Sequence, residues 1–277
     1  MKLTINARFT LNNGVKMPVL GLGTWEATGH KGKQAVLWAL EAGYRLVDTA
    51  AIYGNEREVG EAIRESSILR DDIFITTKLW PSEMGYESGL EAFEASRRRL
   101  GFECVDLYLI HWPGEDRGRR LEAWRALEKL LADGRCRAIG VSNFFVQELR
   151  EILDRGGTAP AVNQVSFSPF KQQREVHAFC ESRGIRLEGY SPLTRGRRLD
   201  DTTIRSIAKS YRKTPGQIML RWAIQKGVIV IPKSVHRERI IENADIFGFV
   251  ISDADMAVLN KLDEESSGPW SSHSAPE

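Results

Sequence analysis

Asp48, Tyr53, Lys78 and His111 stand at or just past the ends of apolar runs, in RLVDTA, AIYGNE, ITTKLW and LYLIHWP. The runs have the length and β-branched content of buried strands. A titratable group is costly inside a core, so its repetition at consecutive strand exits reads as a site. Proton transfer is the chemistry these residue types can do. A tyrosine with its ordinary pKa of about 10 is a poor acid near neutrality. A neighbouring ammonium stabilises phenolate, so Lys78 is expected to lower the Tyr53 pKa, with Asp48 as its counter-charge. His111 is suited to orienting a substrate oxygen. The set amounts to a tyrosine general acid with an electrostatic support chain, fit to protonate a carbonyl oxygen while the carbon is attacked.

Singly, each residue has a plainer reading. Asp48 would serve as an N-cap of the helix that follows, Lys78 would be solvated, His111 would be structural, and Tyr53 would pack at a rim. Their joint placement favours the site.

The elements that must position them alternate along the chain. Strands are expected at 19–22, 45–48, 73–78, 105–111, 138–142, 161–165, 186–190 and 228–231. Helical patterns begin near Lys31, Asn55, Tyr86, Leu121, Val146, Arg174, Thr203 and Arg237, and a ninth opens at Asp253 behind the N-cap Ser252. Asn13-Gly14 between alternating runs signals an N-terminal β-hairpin. Strand–helix units in this number suit a (β/α)8 TIM barrel, an α/β fold with the function at the C-terminal rim. An open doubly wound sheet is the alternative, but Gly21-Leu-Gly23-Thr-Trp25 lacks the third glycine of a dinucleotide fingerprint. Residues 1–277 read as one domain, with 266–277 a Ser/Pro/Gly-rich C-terminal loop.

The rim residues follow from these elements. Thr24, Trp25, Trp80 and Trp112 come from the first, third and fourth units. Amides, hydroxyls and a ring come later, as Ser142, Asn143, Gln164, Tyr190 and Ser191, a set suited to holding a flat hydrogen-bonding ligand. Trp25, Trp80 and Trp112 suggest an aromatic substrate pocket, with barrel-top packing as the plainer reading. A lysine, a hydroxyl and an arginine (Lys233, Ser234 and Arg239) stand at the opening of a helix and make a phosphate site. Arg97–Arg99 and Arg117–Arg120 read as solvated faces; the second run is on the loop after His111, where attraction of an anionic substrate is the alternative reading.

Composition narrows the class. Of 277 residues, 42% are hydrophobic, enough for a sizeable core, and 39 basic against 37 acidic side chains give no bulk-charge case for nucleic acid or membranes. No stretch reaches the ~20 apolar residues of a membrane helix, and no secretory signal is evident. Cys104, Cys136 and Cys180 are scattered and odd in number, which fits a reducing cytoplasm. The histidines and cysteines show no metal-ligand spacing, so no metal is expected.

The motifs GLGTW, VDTAAIYGNE, ITTKLW, DLYLIHWP, IGVSNF, VNQV, YSPL and IPKSVHRERIIEN resemble those of the aldo-keto reductases, in order and over nearly the whole chain. That resemblance implies a (β/α)8 barrel binding NADPH in extended form. It implies a catalytic set of Asp48, Tyr53, Lys78 and His111, with hydride moving from nicotinamide to the carbonyl carbon. Ser142, Asn143 and Gln164 would hold the carboxamide, and Tyr190 would stack on the ring. Ser191, Leu193 and residues up to Gly196 would follow the pyrophosphate. Lys233, Ser234 and Arg239 would take the 2′-phosphate, and Glu242 and Asn243 the adenine. Gly23, Thr24, Trp25 and Val235 complete the expected NADPH/NADP+ contacts.

Within the family the chain resembles bacterial 2,5-diketo-D-gluconate reductases and trypanosomatid prostaglandin F synthases. Its short loop between Trp112 and Leu121 favours an open pocket for small-molecule carbonyl substrates. Two departures bear on substrate choice: Val165-Ser166-Phe167-Ser168-Pro169 where relatives carry Val-Glu-Xaa-His-Pro, and a tail with Gly268-Pro269-Trp270. A monomer is expected. The competing class is a cofactor-sensing protein of the same fold with little turnover, against which the intact catalytic set argues. A barrel hydrolase would need paired carboxylates or metal ligands at the rim.

Overall fold

Alternation of apolar side chains sets the architecture. The computed structural model describes residues 3–264, so the expected C-terminal loop at 266–277 lies outside the described residues. Eight parallel strands form one sheet: β3 (Leu22–Gly23), β4 (Leu46–Asp48), β5 (Phe74–Leu79), β6 (Val105–Ile110), β7 (Cys136–Ser142), β8 (Val162–Ser166), β9 (Arg186–Tyr190) and β10 (Ile229–Val230). Each pairs with its neighbour in chain order. Parallel bridges Leu20↔Val230 and Gly23↔Lys233, with Gly21 N–H donating to the Val230 carbonyl at 2.9 Å, join the last strand to the first. The sheet is therefore a barrel, as expected.

One face of every strand points inward, and period two carries that face from the base to the rim. Leu46, Phe74, Leu107, Leu109, Ala138, Val162, Ile229 and Ile231 form an interior cluster. Counting on by two from these residues reaches Asp48, Lys78, His111, Ser142 and Gln164. The hairpin of β1 (Arg8–Thr10) and β2 (Lys16–Pro18) adds Leu11 and Met17 to the same cluster and closes the base. Asn12 and Asn13 fasten it by donating to the Pro160 and Arg137 carbonyls at 2.9 and 3.0 Å.

The helices pack round the outside over the larger apolar layer. They are α1 (Gly29–Glu41), α2 (Glu56–Glu65), α3 (Tyr86–Leu100), α4 (Arg117–Ala132), α5 (Val146–Leu153), α6 (Arg174–Ser182), α7 (Thr202–Tyr211), α8 (Pro215–Gln225), α9 (Arg237–Ala244) and α10 (Asp253–Asn260). α9 returns against α1 and completes the ring. Two expectations are corrected. A single helix was expected from Thr203, but α7 and α8 both lie between β9 and β10. The second is opened by a Thr214–Gln217 capping box with Pro215 in its first turn. α4 starts at Arg117 rather than near Leu121, because Asp116 caps it by accepting the Arg119 N–H at 3.0 Å.

Gly140 tests how tightly the ring is drawn. A Cβ there would stand 2.5 Å from the Val162 carbonyl oxygen and 2.8 Å from Leu109 Cδ2, and the first is backbone. Gly140→Ala should cost roughly 1–3 kcal/mol, read as a lower urea midpoint at unchanged slope. Parental stability would mean the barrel has slack at that level.

Candidate active site

Asp48 ends β4 and pairs in register with Thr76, which puts Lys78 one inward step higher on the adjacent strand. From there the Lys78 ammonium reaches back to Asp48 Oδ1 at 2.6 Å and to the Thr49 carbonyl at 2.9 Å. Lys78 is 0% exposed. Its third contact is the Tyr53 hydroxyl at 3.5 Å, and the hydroxyl lies 3.5 Å from His111 Nε2. Tyr53 sits in a single 3-10 turn, Ala51–Tyr53, closed by Gly54 in the left-handed region (φ 65°). The expected four side chains therefore converge at the rim.

Burial is the largest single influence on the Lys78 ammonium and lowers its pKa, but Asp48, Tyr53 and Glu188 together outweigh it and hold that pKa above the ordinary lysine value. Burial lifts Asp48, with Lys78 and Gln164 pulling the other way. The short contact keeps the pair ionised. His111 is held neutral, its pKa far below the ordinary value through burial and then Lys78. Tyr53 corrects an expectation. Its pKa is raised: burial is the largest cause and outweighs the lowering by Lys78, while Asp48 and Glu188 add to the rise. The phenol thus carries its proton at neutral pH.

Asp48 is no N-cap. Asn55 takes that position, buried, donating to the Thr24 and Ala27 carbonyls at 2.8 and 2.9 Å and accepting from Thr49 Oγ1 at 2.6 Å. Thr24 spends its hydroxyl on the Asp48 carbonyl at 2.9 Å. Both residues brace the strand exit that carries Asp48. Asn55 was missed, although it lies within the VDTAAIYGNE motif.

Around the four groups stand the expected ligand-holding amides, and these are tied to one another. Gln164 Nε2 donates to Asp48 Oδ2 and to Glu188 Oε2, both at 2.8 Å. Ser142 Oγ donates to the Gln164 backbone carbonyl at 2.9 Å. Asn143, in the left-handed region (φ 62°) that asparagine tolerates, donates to the His111 carbonyl and accepts from the Tyr190 hydroxyl at 2.9 Å. The loop after β9 holds Ser191, Thr194, Arg195 and Gly196 all at positive φ, beside Leu193. Glu188, fully buried, was also missed. It is a charged residue inside the apolar run RLEGY, the signal that found the others.

Aromatic rings wall the mouth. Trp25, 42% exposed, meets the Tyr53 ring edge-on at 4.8 Å between centroids, and Trp80 meets His111 at 5.1 Å. Trp112 is half-buried on the loop after β6, and among the described residues no ring contact joins it to the four. Lys233 and Arg239 are exposed and stand in no ion pair among the described residues. Ser234 Oγ accepts the His236 N–H at 3.1 Å just before α9, with Val235 half-buried beside it. Asn243 is buried, and exposed Glu242 accepts from Thr214 Oγ1 at 2.7 Å. Arg117–Arg120 open α4 rather than lying on the loop; Arg117 and Arg119 are exposed, as a solvated face, whereas Arg120 is buried. Arg119 holds the Met84 and Ser82 carbonyls, and Arg120 holds Pro113, Gly114 and Glu151. Among the described residues no group of three or more His, Cys, Asp or Glu could hold a metal ion. No helix there is long and apolar enough to cross a membrane.

Asp48→Asn would leave Lys78 unpaired in a dry interior and should destabilise the fold by about 3–5 kcal/mol. Adding Lys78→Met should recover part of that loss in the same urea titration. A single variant as stable as the parent contradicts the buried ion pair.

Comparison with known proteins agrees with the geometry. The Aldo/keto reductase family matches residues 19–264. The glyoxal reductase of Bacillus subtilis (strain 168) is 47% identical over 271 residues, covering 97% of this chain and 98% of the relative. The 9,11-endoperoxide prostaglandin H2 reductase of Trypanosoma cruzi (strain CL Brener) is 46% identical over 260 residues, covering 92% and 91%. A crystal structure of a Gox0644 mutant in complex with NADPH superposes with a TM-score of 0.89 at 43% identity, over 93% of this chain and 94% of that one. On its sequence, its barrel and these relatives, the chain belongs to the aldo/keto reductase family.

Proposed function

We propose that the chain is an NADPH-dependent carbonyl reductase in which Tyr53 is the general acid. The carrying observation is a half-buried, protonated phenol 3.5 Å from both an ammonium and a neutral imidazole, beside the Trp25 and Trp80 rings. In this reading a carbonyl oxygen binds between Tyr53 and His111 Nε2. Tyr53 gives up its proton as charge develops on that oxygen. Lys78, fixed by Asp48, stabilises the phenolate that remains. His111 holds the oxygen by hydrogen bonding and, being neutral, does not compete as the acid. Trp25 and Trp80 exclude water from one side.

The residues present fit the cofactor. The Gln164 amide nitrogen is committed to two carboxyl groups, which leaves its oxygen to accept from a carboxamide. Tyr190, anchored by its hydroxyl to Asn143, offers a ring face to a nicotinamide. Lys233 and Arg239 are cations awaiting a phosphate, with Ser234 between them. In this reading Ser191, Leu193 and Gly196 would follow the pyrophosphate, and Glu242 and Asn243 would take the adenine. When bound, reduced nicotinamide supplies the hydride for the carbonyl carbon.

The substrates are aldehydes, ketoaldehydes and diketo sugars, supported by the glyoxal reductase and prostaglandin H2 reductase relatives and by the open mouth. The same reading takes residues 1–277 as one domain, monomeric and cytoplasmic. Free Cys104, Cys136 and Cys180 are consistent with a reducing compartment.

Tyr53→Phe should lower kcat for reduction by about 10²-fold or more while NADPH affinity by fluorescence titration stays near parental. Retention of most activity would remove Tyr53 from the role. Lys233→Ala and Arg239→Ala should each raise KM for NADPH far more than for NADH. Unchanged selectivity would move the 2′-phosphate site elsewhere. A panel with methylglyoxal, phenylglyoxal and 2,5-diketogluconate, followed by loss of NADPH absorbance, ranks the substrates.

A further inference from the structure

Glu188 takes no part in the steps above, yet it lies in line with every group that does. It is 0% exposed, on the inward face of β9, one layer beneath Tyr190. Its Oε2 accepts from Gln164 Nε2 at 2.8 Å; that same nitrogen donates to Asp48 Oδ2 at 2.8 Å, and Asp48 Oδ1 holds Lys78 at 2.6 Å. A continuous path therefore runs Glu188–Gln164–Asp48–Lys78–Tyr53. Glu188 Oε1 is buried with no hydrogen-bond partner.

Charge balance gives this path its meaning. Among the described residues the polar layer beneath Tyr53 holds one cation, Lys78, and two carboxyls, Asp48 and Glu188; Arg186, one inward step below Glu188 on β9, donates instead to the Gly227 carbonyl at 3.2 Å. Lys78 makes its short contact with Asp48, and Glu188 has no cation within ion-pairing distance among the described residues. An isolated carboxylate in a dry interior takes up a proton rather than stay charged. A single hydrogen bond to one oxygen, with the other oxygen bare, is poor solvation for an anion. A neutral acid tolerates it.

We propose that Glu188 is a positioning residue, held as a neutral carboxylic acid, that fixes the Gln164 amide and leaves Asp48–Lys78 as the sole charge pair beneath Tyr53. Gln164 is then held from both sides, and its oxygen is kept free for a ligand. Asp48 meets no second negative charge and gives its full field to Lys78.

The groups that face Glu188 are few. β8 contributes Gln164, β4 Asp48 and β5 Lys78, while β10 contributes apolar Ile229 in register. Tyr53, on its 3-10 turn above, also feels the Glu188 charge. Burial, then Asp48, pushes the Glu188 pKa up to about 8, against the Gln164 hydrogen bond and Lys78. Above that pH the proton leaves to solvent and a second anion stands beside Lys78. Lys78 is then drawn on by two carboxylates, its support for the phenolate weakens, and Tyr53 becomes a weaker acid. Reduction should fall as Glu188 ionises.

The kinetic part of this inference rests on the carbonyl-reduction reading; the protonation part does not. E188Q keeps an acceptor for Gln164 and cannot ionise, whereas E188L removes both. The apo protein is first examined by infrared difference spectroscopy. A carbonyl stretch of a neutral acid should be present at neutral pH, absent from E188Q, and lost from the parent as pH rises above about 8. If parent and E188Q spectra show no such difference, the proposal is overturned whether or not any carbonyl is reduced. In the kinetic arm, kcat is followed from neutral to alkaline pH. E188L should lose about tenfold in kcat at neutral pH, and E188Q should restore most of it. The alkaline decline of the parent should disappear or move upward in E188Q. An E188Q profile that tracks the parent, or E188L with parental kcat, overturns the positioning role. Should E188L fail to fold, the E188Q profile decides alone.

Discussion

A single ammonium, Lys78, is placed where no water reaches it, and the rim is organised around keeping it charged. Desolvation of such a group is costly, and one good ion pair only offsets it. The Asp48–Lys78 contact therefore contributes little net stability and a great deal of constraint. Neither group can move without exposing the other to an apolar surround. The register of β4 against β5, the Thr49 carbonyl and the Gln164 amide all restrict where the pair can sit. Tyr53 inherits that restriction because its hydroxyl lies against the ammonium.

The layering of the barrel turns this local constraint into an axis. Inward residues change from apolar at the base to polar at the rim, two residues per step. Asp48, Lys78, Ser142 and Gln164 each meet a partner from another element, while Thr76 Oγ1 and Glu188 Oε1 are left without one. His111 is the exception in charge, kept neutral by burial and by Lys78. One cation, one firmly paired carboxylate and neutral neighbours leave a field that acts on a single phenol.

Much of this was legible in the residues. The strand exits at Asp48, Lys78 and His111 stood out because each breaks an apolar run with a group that a core resists. The barrel followed from the alternation of such runs with helical patterns. What was not legible depended on distance and burial. The sign of the Tyr53 shift turns on dehydration, which spacing does not reveal. Arg120 looked solvated, yet it is buried against the Pro113 and Gly114 carbonyls and Glu151, contacts that a run of basic residues does not announce. Ser166 ends β8 and Ser168 builds the turn after it: the Ser168 backbone pairs with Lys171, and buried Phe167 stacks on Trp222 at 5.2 Å. α8 was absorbed into its neighbour because Thr214-Pro215 reads as a break as readily as a start. Glu188 escaped because polar interruptions were sought at strand ends and not one step inside.

The hairpin at the base has a consequence for timing. Leu11 and Met17 carry the apolar cluster across the base of the barrel interior, so the polar end of the interior is the rim. Whatever occupies that rim also covers it. Groups beneath it then exchange protons with solvent most freely between turnovers, when the rim is open.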